Sequence, residues 1–308
     1  MNQNDEFFDL QINGYAGVDF NADGLDGEAL HAACERLRSD GVAGILATII
    51  TGPLERMTAR LANLVTLRRR DPVAAQVIAG IHLEGPFISA EPGYVGAHPP
   101  AAVRPADPET MQRLLDAADG LTRIVTLAPE NDHGLRVTQR LAQDGIIVAA
   151  GHCNPTFDQL HAAVDAGLSM FTHLGNGCPG MLPRHDNIIQ RALALADRLT
   201  VSFIADGAHV PFFALGNYLR LFPAENVVIV SDAISAAGCG PGTYVLGTQT
   251  VKVGDDLVPR MPDHSTLAGS ACTMRRMADN LRRHLGATDA QIRQWLADNP
   301  RRVLARTI

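Results

Sequence analysis

The feature that most constrains this 308-residue chain is an alternation repeated eight times. Apolar, β-branched runs at 7–12, 43–50, 77–83, 122–127, 146–150, 168–172, 200–205 and 227–231 read as strands. Helical patterns such as 27–39, 54–70, 108–118, 134–143 and 156–166 lie between them. Gly41, Gly120, Gly145 and Gly167 each fall between a helix and the next strand, where a C-cap glycine belongs. Near-continuous apolar strands imply a parallel sheet covered on its outer face. Eight such units within 231 residues imply a closed (β/α)8 barrel, an α/β TIM barrel. A doubly wound open sheet would have fewer strands, and no Gly-x-Gly-x-x-Gly follows the first one. We therefore expect one barrel domain over residues 1–308. A Gly/Pro-rich excursion at 238–263 reads as a loop or hairpin, with two helices after it near 270–285 and 289–298.

Composition narrows the class. A 46% hydrophobic content suffices for a large core, and a net charge of −7 with scattered basic residues argues against nucleic-acid binding. The one basic run, Arg68-Arg69-Arg70, closes a helical pattern and reads as a solvated helix end that complements the dipole. Five widely spaced cysteines without a Cys-x-x-Cys pair point to a reducing compartment, hence the cytoplasm, and no run is long enough for a membrane helix.

The polar residues interrupting the apolar strands sit at their C-terminal ends. Strand one ends in Gln11 and Asn13, two apart and so on one face. Strand three ends in His82 and Glu84, strand five in His152, strand six in His173, strand seven in Asp206 and His209, and strand eight in Asp232. In a barrel these ends converge on the mouth where active sites are built. Glu84, His152 and His173 offer one carboxylate and two imidazoles, suited to Zn2+ or Fe2+ with a position open to water. Asp232, across the mouth, is placed to act as general base. His82 shares the face of Glu84 and reads as a supporting or core histidine, whereas Cys153 points away and reads as packing.

These residues and their flanks resemble the N-acetylglucosamine-6-phosphate deacetylase family of the amidohydrolase superfamily. The matching stretches are Asp-Leu-Gln-Ile-Asn-Gly (9–14), His-Leu-Glu-Gly-Pro-Phe (82–87), Gly-Ala-His-Pro-Pro (96–100), Leu-Ala-Pro-Glu (127–130) and Gly-His-Cys-Asn-Pro-Thr (151–156). Phe-Thr-His-Leu (171–174), Ala-Asp-Gly-Ala-His-Val (205–210), Ser-Asp-Ala (231–233) and Leu-Ala-Gly-Ser-Ala-Cys-Thr-Met (267–274) continue the series in order.

The resemblance implies a metal-dependent deacetylase of an N-acetylated amino sugar, foremost N-acetylglucosamine 6-phosphate. It implies that Glu84, His152 and His173 bind one divalent metal and that Asp232 is the catalytic base, then acid. Where many amidohydrolases carry His-x-His for a second metal, this chain has Gln11-x-Asn13; amides are poor Zn2+ ligands, so both are expected to hydrogen-bond around the site. His98 is expected to stabilise the developing oxyanion. Ala97, His98, Asn176, Gly177 and His209 match substrate-contact positions, Leu267, Ala268 and Gly269 a sugar-pocket loop, and Arg184 a phosphate-binding arginine.

Two departures qualify this. After His173 the family continues Leu, an aromatic residue, Asn, Ala, Met, whereas here stand Leu174-Gly175-Asn176-Gly177-Cys178. Relatives also carry a small β-sandwich flanking the barrel, and this chain is expected to be a barrel-only member, associating as a homodimer. Alternatives are an amidohydrolase acting on a cyclic amide or N-acyl amino acid, and a non-catalytic sugar-phosphate-binding relative.

Overall fold

A computed structural model describes residues 6–263 and 266–305. Eight strands run β1 Phe7–Ile12, β2 Val42–Ile50, β3 Ile78–Glu84, β4 Thr122–Leu127, β5 Ile147–Ala150, β6 Leu168–Phe171, β7 Thr200–Phe203 and β8 Val227–Ile229. They pair in chain order, every pair parallel, as a right-handed β–α–β series demands. The four glycines expected after helices all have positive φ, between +74° and +113°.

The seam between β1 and β8 is closed differently from the rest. No ladder joins the two strands; instead Asp232 N donates to the Gln11 carbonyl at 2.9 Å and Asn13 N to the Ala233 carbonyl at 2.7 Å. Below them the buried Asp9 carboxylate accepts from Ser231 N at 3.1 Å, Gln11 N at 3.2 Å and the Ser231 hydroxyl. Asp9, Gln11 and Asn13 alternate with Leu10 and Ile12, so one face of β1 is polar from barrel interior to mouth and the other packs in the apolar core.

The helices begin where short polar side chains can cap them. Asp26 precedes α1 (Gly27–Ser39), Asp107 precedes α3 (Pro108–Ala117) and Thr156 forms a capping box with Gln159 before α5 (Phe157–Asp165). Three expectations need correction. The strand expected from residue 77 starts at Ile78, because Asp71 caps an extra turn, Pro72–Val77, with Pro at its first position. Arg68, at the end of α2 (Leu54–Arg70), is not solvated: its guanidinium donates to the Ile78 carbonyl at 2.7 Å and the Ala75 carbonyl at 3.2 Å, tying the helix to the next strand. The helix expected from residue 134 begins as α4 at Arg136, since Gly134 and Leu135 are left-handed and the Asp132 carboxylate caps Thr138 N at 2.7 Å.

The 238–263 excursion is a three-stranded antiparallel sheet of β9 Gly242–Leu246, β10 Gln249–Val253 and β11 Pro259–Arg260. Leu246, Val251 and Val253 bury a small cluster of their own with Ile50, Ile234 and Ala268. The sheet is pinned to the barrel mouth by Gly247 N, which donates to Asp19 at 2.6 Å, and by Gln249, which donates to the Ala97 carbonyl. Before it α6 Ile188–Leu193 and α7 Phe212–Leu221 belong to the barrel ring, and after it come α8 Met274–Leu285 and a terminal helical stretch ending in Asn299–Ala305. Asn299 donates to the Ala224 and Val227 carbonyls at 2.8 and 2.6 Å, fixing that stretch against the base of β8.

Candidate active site

The strand ends do converge. A cavity of about 340 Å³ at the mouth is lined by Asn13, Glu84, His98, His152, His173 and Asp232 on its floor. Its walls include Ala97, Asn176, Gly177, Cys178, His209, Leu246, Leu267 and Gly269. That volume lies at the lower end of small-molecule sites. His152, His173 and Asp232 have φ of +50°, +34° and +46°, a left-handed backbone that non-glycine residues adopt at a cost of roughly 1–3 kcal/mol each. That conformation turns each side chain off its strand and into the cavity.

Glu84 is the hub. His173 Nε2 lies 2.9 Å from Oε1, His152 Nε2 3.4 Å from the same atom, and His98 Nε2 3.9 Å from Oε2. Gln11 donates to Oε1 at 3.0 Å. Burial alone would raise the Glu84 pKa, but its bonds to His152 and His173 outweigh this and hold it well below the usual range. Burial likewise opposes charge on His173, yet the Glu84 carboxylate outweighs it and raises the imidazole. The pair thus favours separated charge, the arrangement a cation could replace by displacing a proton.

His152 shows how such a ligand is prepared. Its Nδ1 donates to the Tyr94 carbonyl at 2.8 Å, which leaves a lone pair on Nε2 aimed at the Glu84 carboxylate. Two electron-rich atoms facing each other at 3.4 Å need a cation or a proton between them. Metal-ligating histidines are oriented through their other nitrogen in this way. Gly96 and Gly177, both with positive φ, hold the ring on two sides: an added Cβ would stand 2.9 Å from His152 Cε1 and 2.8 Å from Nδ1 respectively. The donor set of Glu84 and buried imidazoles therefore fits a divalent metal.

Asp232 sits opposite. Asn13 donates to its Oδ1 at 2.7 Å and Gln11 at 3.3 Å, leaving Oδ2 toward the cavity. Burial and the nearby Glu84 charge push its pKa up to about 6. His82, by contrast, faces away from the cation position. Its Nδ1 donates to the Leu10 carbonyl at 3.1 Å and its Nε2 accepts from Thr126 at 2.7 Å, itself bonded to Thr172 at 2.8 Å. Burial pulls its pKa down to about 4, so it is a neutral cross-brace under the site.

Not every residue expected at the pocket reaches it. Ala268 is fully buried in the small cluster beneath the cavity wall, since neighbours on an extended loop alternate sides. Arg184 is exposed on the loop beyond Gly180 and does not line the cavity. Conversely, the sequence reading assigned no role to Asp206 or Tyr94. Asp206 accepts from His209 Nδ1 at 2.7 Å and from the backbone of Ala208 and His209 at 2.9 Å, which fixes the His209 ring. Asp206 stood at a strand end three residues before His209, a signal open to reading; Tyr94 contributes a carbonyl, for which side-chain chemistry offers no signal.

No family model matches the chain. It is 38% identical over 280 residues to N-acetylglucosamine-6-phosphate deacetylase of Bos taurus, covering 87% of this chain and 66% of that protein. It is 32% identical over 301 residues to N-acetylgalactosamine-6-phosphate deacetylase of Escherichia coli O157:H7, covering 97% of this chain and 77% of that one. The chain thus spans about two thirds of the bovine relative and three quarters of the bacterial one. Among solved structures, a mutant N-acetyl-D-glucosamine-6-phosphate deacetylase of Mycobacterium smegmatis in complex with N-acetyl-D-glucosamine-6-phosphate matches with a TM-score of 0.88 and 31% identity, over 97% of this chain and 77% of that one. Sequence likeness over nearly the whole chain and coincidence of the fold agree: the chain belongs to the N-acetylglucosamine-6-phosphate deacetylase family.

Proposed function

We propose that the protein hydrolyses the acetamide of an N-acetylated amino sugar 6-phosphate, foremost N-acetylglucosamine 6-phosphate, to the free amine and acetate. The observation that carries this is the Asp232 carboxylate, anchored through one oxygen by Asn13 and Gln11 and facing the Glu84–histidine cluster with the other. Glu84, His152 and His173 would hold one divalent ion, Zn2+ or Fe2+, which when bound would lower the pKa of water from 15.7 toward roughly 7 and polarise the acetamide carbonyl.

The chain's own residues account for the proton traffic. Asp232 Oδ2 takes a proton from the attacking water as its oxygen bonds to the carbonyl carbon. Asp232 then returns that proton to the sugar nitrogen as the C–N bond breaks, because an amine leaves poorly as an anion. A folded-state pKa near 6 suits a group that must both accept and donate near neutrality. His98 donates toward the carbonyl oxygen as charge develops there. Ala97, Asn176, Gly177, His209, Leu267 and Gly269 shape the sugar pocket, with Ala268 supporting that wall from below. Arg184, exposed on the loop beyond Gly180 and outside that lining, would have to reach in to meet the phosphate.

We infer that the chain works as a homodimer in the cytoplasm. Met181, 92% exposed on the Arg184 loop, and Phe213, 78% exposed, supply apolar surface for association. Five free thiols suit a reducing compartment, and among the described residues no helix is long and apolar enough to cross a membrane.

The test is amine release from N-acetylglucosamine 6-phosphate by metal-reconstituted chain, with the galactosamine epimer and the unphosphorylated sugar in parallel. Turnover lost on chelation and restored by Zn2+ or Fe2+ is expected. Metal-loaded protein that turns over none of the three sugars would sink the proposal.

A further inference from the structure

The three histidines around Glu84 are not equivalent. His152 and His173 follow β5 and β6 directly, whereas His98 comes from the loop after β3. The His152 ring is locked by the Tyr94 carbonyl, but His98 Nδ1 is buried with no partner among the described residues. Even so, His98 Nε2 lies 3.3 Å from His152 Nε2. A tetrahedral site with metal–nitrogen bonds of 2.0–2.1 Å sets its donor atoms about 3.3–3.4 Å apart. The His98–His152 edge of 3.3 Å and the His152–Glu84 Oε1 edge of 3.4 Å both meet that requirement, while His98 stands 3.9 Å from Glu84 Oε2, a third edge that a shift of about half an ångström would close. The His173–Glu84 separation of 2.9 Å is shorter than such an edge and is a close hydrogen bond, whereas the His98–His152 contact is a longer one of edge length. Glu84, His98 and His152 each place one donor atom within 4.8 Å of the others.

We propose that His98 is a further metal ligand in the substrate-free site, and the exchangeable one. The inference rests on the proposed metal-dependent reaction and deepens it, because a single Nε2 cannot ligate a metal and contact the substrate carbonyl at once. A lone pair on Nε2 suits the first role and an N–H the second. With no partner on Nδ1 to fix a tautomer, both remain open to His98, whereas His152 is confined to the ligand form. The loop origin of His98 lets it leave without moving a barrel strand.

The experiment titrates Co2+ into the metal-free full chain, without substrate, and follows visible absorption. Wild type, His98→Ala, His98→Cys and Glu84→Gln are compared, with circular dichroism of each metal-free variant as a folding control. His98→Ala is expected to weaken Co2+ binding at least tenfold and to shift the ligand-field bands. His98→Cys is expected to gain a thiolate-to-cobalt charge-transfer band that wild type lacks, and this arm decides the matter should the alanine variant fail to fold. Unchanged affinity and bands in His98→Ala, with no new band in His98→Cys, would overturn the inference and leave the proposed function standing. Wild type that binds no Co2+, or Glu84→Gln that binds it equally well, would overturn both.

Discussion

Two carboxylates occupy the β1–β8 seam, and their difference shows what separates a structural acid from a reactive one. Asp9 is 1% exposed deep in the barrel and carries three donors on its two oxygens: Ser231 N, the Ser231 hydroxyl and Gln11 N. Asp232, one residue after Ser231, carries its donors on one oxygen and turns the other to the cavity. Both are raised by burial, Asp9 to about 7 and Asp232 to about 6. A perturbed pKa therefore does not mark the functional group here. The free lone pairs and the open cavity do.

The comparison is broken most directly by Asp232→Asn. The amide keeps the shape but cannot cycle a proton, so kcat is expected to fall by about 10²–10⁴ with little change in unfolding free energy. Equal losses of activity and stability would mean that Asp232 too is chiefly a structural acid. Asp9→Ala should show the opposite pattern. Stranding Ser231 donors is expected to cost roughly 2–3 kcal/mol in urea unfolding at about pH 5, with kcat per folded molecule reduced far less than in Asp232→Asn.

The pH dependence of stability sharpens the same contrast. Native Asp9 holds its proton up to about pH 7, whereas the unfolded chain releases it near 3.9. Between those values the unfolded state binds fewer protons, so the contribution of Asp9 is full below about pH 4 and is lost as pH rises through 7. Relative to Asp9→Asn, wild type should lose roughly 4 kcal/mol across that window. Parallel stability curves for the two proteins would show that Asp9 is ionised in the native state throughout.

Smaller effects test the supports of the mouth. Gly177→Ala would push a Cβ to 2.8 Å from His152 Nδ1 on a backbone with φ +60°, loosening the Tyr94 bond. Metal affinity by competition with a chelator is expected to drop about 10–100-fold, the range for lost outer-sphere support. Asp206→Asn should be mildest, raising KM several-fold through a mis-set His209 while leaving metal affinity unchanged, on the scale of one lost hydrogen bond of about 1 kcal/mol. A loss of metal binding in this variant would instead tie Asp206 to the Glu84 cluster.

How much of this could be read in advance varies with the residue. Gln11 and Asn13 were legible as hydrogen-bonding partners because strand alternation fixes their common face and an amide's donors suit carboxylates. Arg68 was misjudged because a basic residue in a last helical turn looks solvated until the following turn is known to fold back on it. Ala268 was placed by its neighbours in a matching stretch, and a stretch carries no information on which side of a loop each residue faces, whereas Arg184 was placed by its spacing from His173 and lies outside the cavity lining.

By itself the sequence determined the eightfold strand–helix alternation, the C-cap glycines and the concentration of Glu84, His152, His173 and Asp232 at strand ends. Those follow from local rules, since apolar period and chain order suffice to send parallel strand ends to one mouth. Only the tertiary structure decided the left-handed turns at His152, His173 and Asp232, the glycine walls on either side of the His152 ring and the carboxylate clasp of Asp9 across the seam. It also decided that His98, a loop residue 54 positions before His152, meets it at 3.3 Å. These are contacts between distant segments, set by packing the whole barrel, and no local pattern in the chain encodes the ångström on which ligand geometry depends.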